Sequence, residues 1–372
     1  MLDNSTFYNY IQHYHWDEIT RQIQSQTAKD VELALANTNR TVEDFLALVS
    51  PAAAPYLEPM AQEAHRLTME RFGNVIQLYI PLYLSNYCHN ACVYCGFNQQ
   101  NDITRKMLSI SEVDAEIEAI LKLGYKHILL VSGDFPSKTD TVYYDEIVRR
   151  IRPHFSQIAL EVQPLKNDEY TRLQHSGVGF VCIYQETYNE KTYPHYHPAG
   201  KKADYRYRLE TPDRIGAADI QKIGIGGLLG LEDWRTESFF VALHLKYLEK
   251  KYWRTKYSIS LPRLRPATGA FEPKSPINDR EMVQLICAYR LLDKEIDISL
   301  STRESQSFRD NVLPLGITSM SAGSSTEPGG YATQHRELEQ FSINDSRSPE
   351  EFAKSLKAKG YEAVWKDWDN WM

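Results

Sequence analysis

No stretch of this 372-residue chain is apolar for long enough to span a bilayer, so no membrane role is expected. The opening residues, MLDNSTFYNYIQHYHWDE, lack the basic-then-apolar order of a secretory signal. A basic excess is missing too. There are 42 Lys and Arg against 49 Asp and Glu, a net charge of −7, which argues against nucleic acid as a partner. Internal repeats of solenoid length and low-complexity tracts are absent. Cysteine is scarce, at five residues, and three of the five fall between positions 88 and 95. A disulfide framework would spread them more evenly. The expectation is a cytoplasmic protein whose clustered thiols are metal or catalytic ligands.

What remains is an alternation of short β-branched runs with longer segments of helical period. Residues 16–73 read as helical: TVEDFLALVS opens on a Thr cap, and an amphipathic helix over 55–72 carries Pro59 near its first turn. Strands are expected at 78–85, 127–133, 157–163, 179–185, 222–229, 257–262, 296–302 and 317–323. Helices are expected at 111–124, capped by Ser111 with Asp114 at the third position, at 234–253 and at 278–293. This alternation implies an α/β fold with right-handed crossovers and a parallel sheet. Eight units fit a (β/α)8 TIM-type barrel with an N-terminal helical extension, and an open doubly wound sheet is the alternative. The division reads as 1–75 for the extension, 76–330 for the barrel, and 331–372 for a C-terminal helix and tail that close it. Active-site groups should then sit at the C-terminal ends of the strands.

The first such end carries Ser85-Asn86-Tyr87-Cys88-His89-Asn90-Ala91-Cys92-Val93-Tyr94-Cys95. Three thiolates at this spacing can hold three irons of a cubane cluster and leave the fourth open to chelate a small ligand. A structural zinc site using His89 or a distant His is the plainer alternative, and an iron–sulfur electron carrier is another. C-x3-C-x2-C with an aromatic before the last Cys resembles the signature of the radical S-adenosylmethionine (SAM) superfamily. The resemblance implies that Cys88, Cys92 and Cys95 bind a [4Fe–4S] cluster, that S-adenosyl-L-methionine is the second cofactor, and that Tyr94 lies near the adenine. Ser132-Gly133-Asp134 resembles the Gly-Gly-Glu element that bonds the methionine amino group, with Ser for the first Gly and Asp for Glu. Glu161 and Gln163, two apart on one face of the third strand, suit ribose hydroxyls, and Gln185 at the end of the fourth is a similar candidate. Ile223 to Gly230, IGIGGLLG, resembles the fifth-strand adenine contact.

Across nearly the whole chain, EVQPL, YQETY, YHPAGKKADYRYRLETPDR, LPRLRPATG, LSTRES, PGGY and VWKDWD resemble the radical SAM tyrosine lyases of thiazole (thiamin) biosynthesis. Related lyases of hydrogenase maturation and of tryptophan are the alternatives. The resemblance implies that a 5′-deoxyadenosyl radical takes a hydrogen from the amino group of L-tyrosine. The Cα–Cβ bond then breaks to give 2-iminoacetate and p-cresol. It also implies delivery to a thiazole synthase subunit and a flavodoxin-like reductant. Arg303 in Leu300-Ser301-Thr302-Arg303-Glu304 could grip the tyrosine carboxylate bidentately, unless Glu304 or Asp310 claims it, and Ser321 could add a hydroxyl. His195 and His197 are open candidates for bonding or deprotonating a ligand. The acidic, aromatic tail VWKDWDNWM is a candidate contact surface.

Overall fold

Eight parallel strands close on themselves in the computed structural model, which describes residues 6–268, 271–332 and 339–366. They are β1 (Val75–Ser85), β2 (His127–Ser132), β3 (Gln157–Glu161), β4 (Phe180–Cys182), β5 (Lys222–Ile225), β6 (Lys256–Ser260), β7 (Asp297–Leu300) and β8 (Ser319–Ser321). β1 pairs in parallel with both β2 and β8, so the ring has no free edge and the open-sheet alternative falls. A ninth strand, β9 (Glu362–Val364), pairs with Val75–Gln77 at the N-terminal end of β1. Trp365 then packs edge-on against Tyr125, with 5.2 Å between centroids, which ties the C-terminal segment to the bottom of the barrel. Residues 367–372 of the tail lie outside the described residues.

Most strands stop short of their apolar runs. Glu161 ends β3 and Cys182 ends β4, so Gln163 and Gln185 stand beyond the hydrogen-bonded ladder. The sequence expectation extended those strands because apolar character continues where the chain has already turned over the barrel rim. The expected cap at Ser111 is also displaced. The helix runs Ile110–Lys122 and is capped by Ser109, whose hydroxyl accepts from Glu112 N while the Glu112 carboxylate accepts from Ser109 N at 2.8 Å. This reciprocal capping box outcompetes the Ser111–Asp114 pairing.

The N-terminal helices wrap the outer helices Trp234–Lys251 and Asp279–Leu292 and share one hydrophobic core with the barrel. Phe7 stacks on His244 at 3.7 Å, Trp16 on Phe240 at 5.3 Å, and Gln284 Nε2 donates to Leu48 O and Ser50 O at 2.9 Å each. Among the described residues, no helix is long and apolar enough to cross a membrane.

Candidate active site

The loop after β1 is held by its neighbours rather than by secondary structure of its own. Gly133 N donates to Ser85 O at 2.9 Å, His89 N to Asp134 O at 3.0 Å, Ala91 N to Ala199 O and Val93 N to Tyr196 O at 3.1 Å each. Gly133 sits so close beneath the loop that a Cβ there would lie 2.3 Å from Tyr87 O and 3.3 Å from the Cys88 Cβ. Gly133→Ala is therefore expected to leave the barrel folded but push the loop off its seat. Iron retention should weaken by about ten- to hundredfold, measured by competition with a chelator.

Cys88, Cys92 and Cys95 line one cleft of about 650 Å³ together with Ser132, Gly133, Asp134, Glu161 and Gln163. Burial pushes the Cys92 thiol up to about 12; Lys202 opposes this, while Cys95 and Cys88 add to it. Three ionised thiols in such a place need a cationic partner. Among the described residues, no three His, Cys, Asp or Glu side chains form a group able to hold a metal ion. His89 turns its Nε2 to the Lys201 N–H at 3.3 Å. Three thiolates can bind separate corners of a cube. Asp134 Oδ2 accepts from Asn90 Nδ2 at 2.8 Å, while Oδ1, in the same cleft, has no hydrogen-bond partner among the described residues and lies 3.9 Å from His89 Nδ1. An orphaned buried carboxylate oxygen is costly unless a donor arrives, and the amino group of a methionine moiety is such a donor. The residues present thus fit the two cofactors.

A second cleft, of about 1170 Å³, shares Cys95, Glu161, Tyr184, Glu186, Lys202 and Gln340 with the first. Arg303 and Ser321 line it. The carboxylates that could have claimed Arg303 are occupied: Glu304 binds Arg263, and Asp310 accepts from Arg347 Nη1 at 2.9 Å. Among the described residues, the Arg303 guanidinium has no ion pair; it lies 3.4 Å over the Phe341 ring. Ser321 Oγ accepts from Thr302 N at 3.2 Å and keeps its own proton to donate.

The Radical SAM superfamily model matches residues 82–242, and the Biotin and Thiamin Synthesis associated domain matches 260–362. The chain is 51% identical to the 2-iminoacetate synthase of Salmonella typhimurium, over 99% of this chain and 98% of that one. The chain belongs to the 2-iminoacetate synthase family. The Escherichia coli 2-iminoacetate synthase is likewise 51% identical, over 96% of this chain and 95% of that one. Among solved structures, HydG, a maturase of the [FeFe]-hydrogenase, superposes with a TM-score of 0.88 at 32% identity, covering 94% of this chain and 80% of that one. As a member of this family the chain is a radical SAM lyase that uses a [4Fe–4S] cluster and S-adenosylmethionine.

Within this synthase fold the structure sorts the residues singled out in the sequence. Cys88, Cys92, Cys95, Ser132, Gly133, Asp134, Glu161 and Gln163 share the first cleft; Tyr94, Arg303 and Ser321 face the second. Gln163 has its amide engaged, accepting from Tyr144 OH at 2.8 Å and donating to Thr139 O at 2.6 Å, so it braces the cleft wall. Gln185 lines neither cleft and donates to Tyr205 O at 3.4 Å. Its neighbour Glu186 takes the place expected of it, held at a φ of 71°. From the glycine run Ile223–Gly230 only Leu228 reaches a cleft, the second one. His195 is exposed. His197 is buried; its Nδ1 donates to Tyr193 O at 3.1 Å, which leaves Nε2 to accept from Tyr94 OH at 2.8 Å. Burial, with Lys202 and Arg208 nearby, holds that imidazole far below its ordinary range and therefore neutral.

Sequence reasoning missed Glu186, Lys202, Arg208 and Gln340. Lys202 Nζ bonds Glu186 at 2.7 Å, and Arg208 lies 3.6 Å from the same carboxylate. Burial and repulsion from Glu186 push Glu161 up to about 7, opposed by Arg303. The run GKKADYRYR carried the signal for the two cations, but nothing in its periodicity says that it folds over the cysteine loop.

Proposed function

We propose that these residues carry out the family's reaction on L-tyrosine, cleaving Cα–Cβ to 2-iminoacetate and p-cresol for the thiazole moiety of thiamin. The observation that carries the reading is Arg303, a guanidinium with no ion pair among the described residues, in a cleft that shares a wall with the cysteine loop. Cys88, Cys92 and Cys95 would hold the cluster, and Ser132, Gly133 and Asp134 the methionine end of S-adenosylmethionine. When bound, that pair supplies the 5′-deoxyadenosyl radical that takes the amino hydrogen of tyrosine. The protein's own part is to orient and enclose. Arg303 and Ser321 fix the carboxylate, which turns the amino group toward the wall shared with Cys95. Asp134 Oδ1 would accept an N–H from the methionine amino group. Asp134→Asn is expected to weaken S-adenosylmethionine binding by about tenfold, or about 1.4 kcal/mol, read by equilibrium dialysis.

The reading extends to partners and place. 2-Iminoacetate hydrolyses readily, which favours direct hand-over to a thiazole synthase subunit. A flavodoxin-like carrier would reduce the cluster, and a reducing cytoplasm would keep the thiols available. The test is anaerobic reconstitution with dithionite, S-adenosylmethionine and one amino acid at a time. Tyrosine should yield p-cresol and 5′-deoxyadenosine. Turnover of tryptophan in place of tyrosine would favour the tryptophan-lyase alternative and sink this one.

A further inference from the structure

The segment Glu339–Asp345 crosses the mouth of the barrel as a strap. Gln340 N donates to Thr326 O at 3.0 Å, Ser342 N to Pro266 O at 3.3 Å and Asn344 N to Thr302 O at 2.8 Å. Three loops at the strand ends thus hold it down. On the other side it rests on the cysteine loop: a Cβ at Gly96 would lie 2.4 Å from Gln340 O, so the approach is possible only without a side chain there.

Gln340 belongs to the wall common to both clefts. Its Nε2 donates to Cys95 Sγ at 3.7 Å, within hydrogen-bond range for sulfur. Tyr83 OH donates to Oε1 at 2.9 Å, which fixes the amide with its N–H end toward the thiol. Tyr83 is itself 5% exposed, so water does not compete freely for that bond. The next residue, Phe341, carries Arg303 on its ring face. One dipeptide therefore touches a cysteine of the metal loop and the guanidinium of the substrate cleft.

We propose that Gln340 is a positioning residue that donates an N–H···S hydrogen bond to the Cys95 thiolate and thereby raises the reduction potential of the cluster. The inference rests on the cluster reading of Cys88, Cys92 and Cys95. Donors to cluster sulfurs are among the groups that set such potentials. The bond withdraws charge from the thiolate, and it favours the more electron-rich, reduced state. The bond is part-buried, with the buried Tyr83 behind it.

The experiment is a potentiometric titration followed by electron paramagnetic resonance, on anaerobically reconstituted parent, Gln340→Leu and Gln340→Glu. Leu removes the donor. Glu keeps the shape and puts an acceptor where the donor stood, so a packing defect in the first is not shared by the second. Both potentials should fall, with the equilibrium constant for reduction lower by about tenfold, which is about 59 mV for one electron. An unchanged potential in Gln340→Glu, at parental iron and sulfide content, overturns the proposal. A parent protein that takes up no four-iron cluster would instead overturn the reading beneath it.

Discussion

Cys92→Ala is expected to abolish both 5′-deoxyadenosine and p-cresol formation while leaving the barrel folded. Cys92 is 5% exposed, on a loop fixed by backbone hydrogen bonds and not by its own thiol. Removing the thiol takes away one of three ligands in a site that has no spare. Among the described residues the remaining cysteines, Cys182 and Cys287, are buried elsewhere, in β4 and in the helix Asp279–Leu292. Cys182 does reach the cleft wall, but from the strand below the loop. The rate should fall by at least about a thousandfold, about 4 kcal/mol in barrier terms. Circular dichroism should stay parental, and iron analysis should show the loss. Parental turnover in this variant would mean that the loop does not carry the cluster.

Arg303→Ala should separate the two halves of the reaction. The substrate carboxylate would enter the cleft without its counter-charge, a loss of about 3 kcal/mol or more, roughly a hundredfold in kcat/KM for tyrosine. Arg303→Lys keeps the charge but loses the planar fork and its seat on Phe341, so an intermediate loss of about tenfold is expected. Cofactor cleavage without tyrosine should persist in both, because Arg303 does not itself line the cysteine cleft. Measuring 5′-deoxyadenosine and p-cresol together gives the distinction. A fall of 5′-deoxyadenosine formation without tyrosine, parallel to the fall of p-cresol with it, would place Arg303 in the cofactor machinery instead.

The parts that could be read from the sequence were those encoded locally. The cysteine spacing and the Leu300–Glu304 element each lie within a few residues, and each strand or helix of the (β/α)8 alternation is read from its own short run. Arg303 was readable because a strand end projects it into the mouth of the barrel, although its freedom from Glu304 depended on Arg263, 41 positions away. Strand ends were misjudged where apolar character outlasts the ladder, as at Gln163 and Gln185. Glu186 was passed over for Gln185, although it keeps the parity of Phe180, Cys182 and Tyr184, which face the barrel interior, and Gln185 does not. Lys202, Arg208 and Gln340 reach the site by folding over it: Lys202 bonds Glu186 16 positions away, and Gln340 bonds Cys95 and Tyr83 from 245 and 257 positions away. Only the closed barrel brings such contacts together. The pairing of β9 with the start of β1 was equally hidden, since three residues of ladder leave almost no periodic trace.

The most direct test is electron–nuclear double resonance on the reduced, reconstituted protein with S-adenosylmethionine labelled with nitrogen-15 at its amino group. A nitrogen coupling to the cluster is predicted, because three cysteines leave one iron for an exogenous chelate. A four-iron cluster with no such coupling, or a colourless protein holding zinc, would contradict the account.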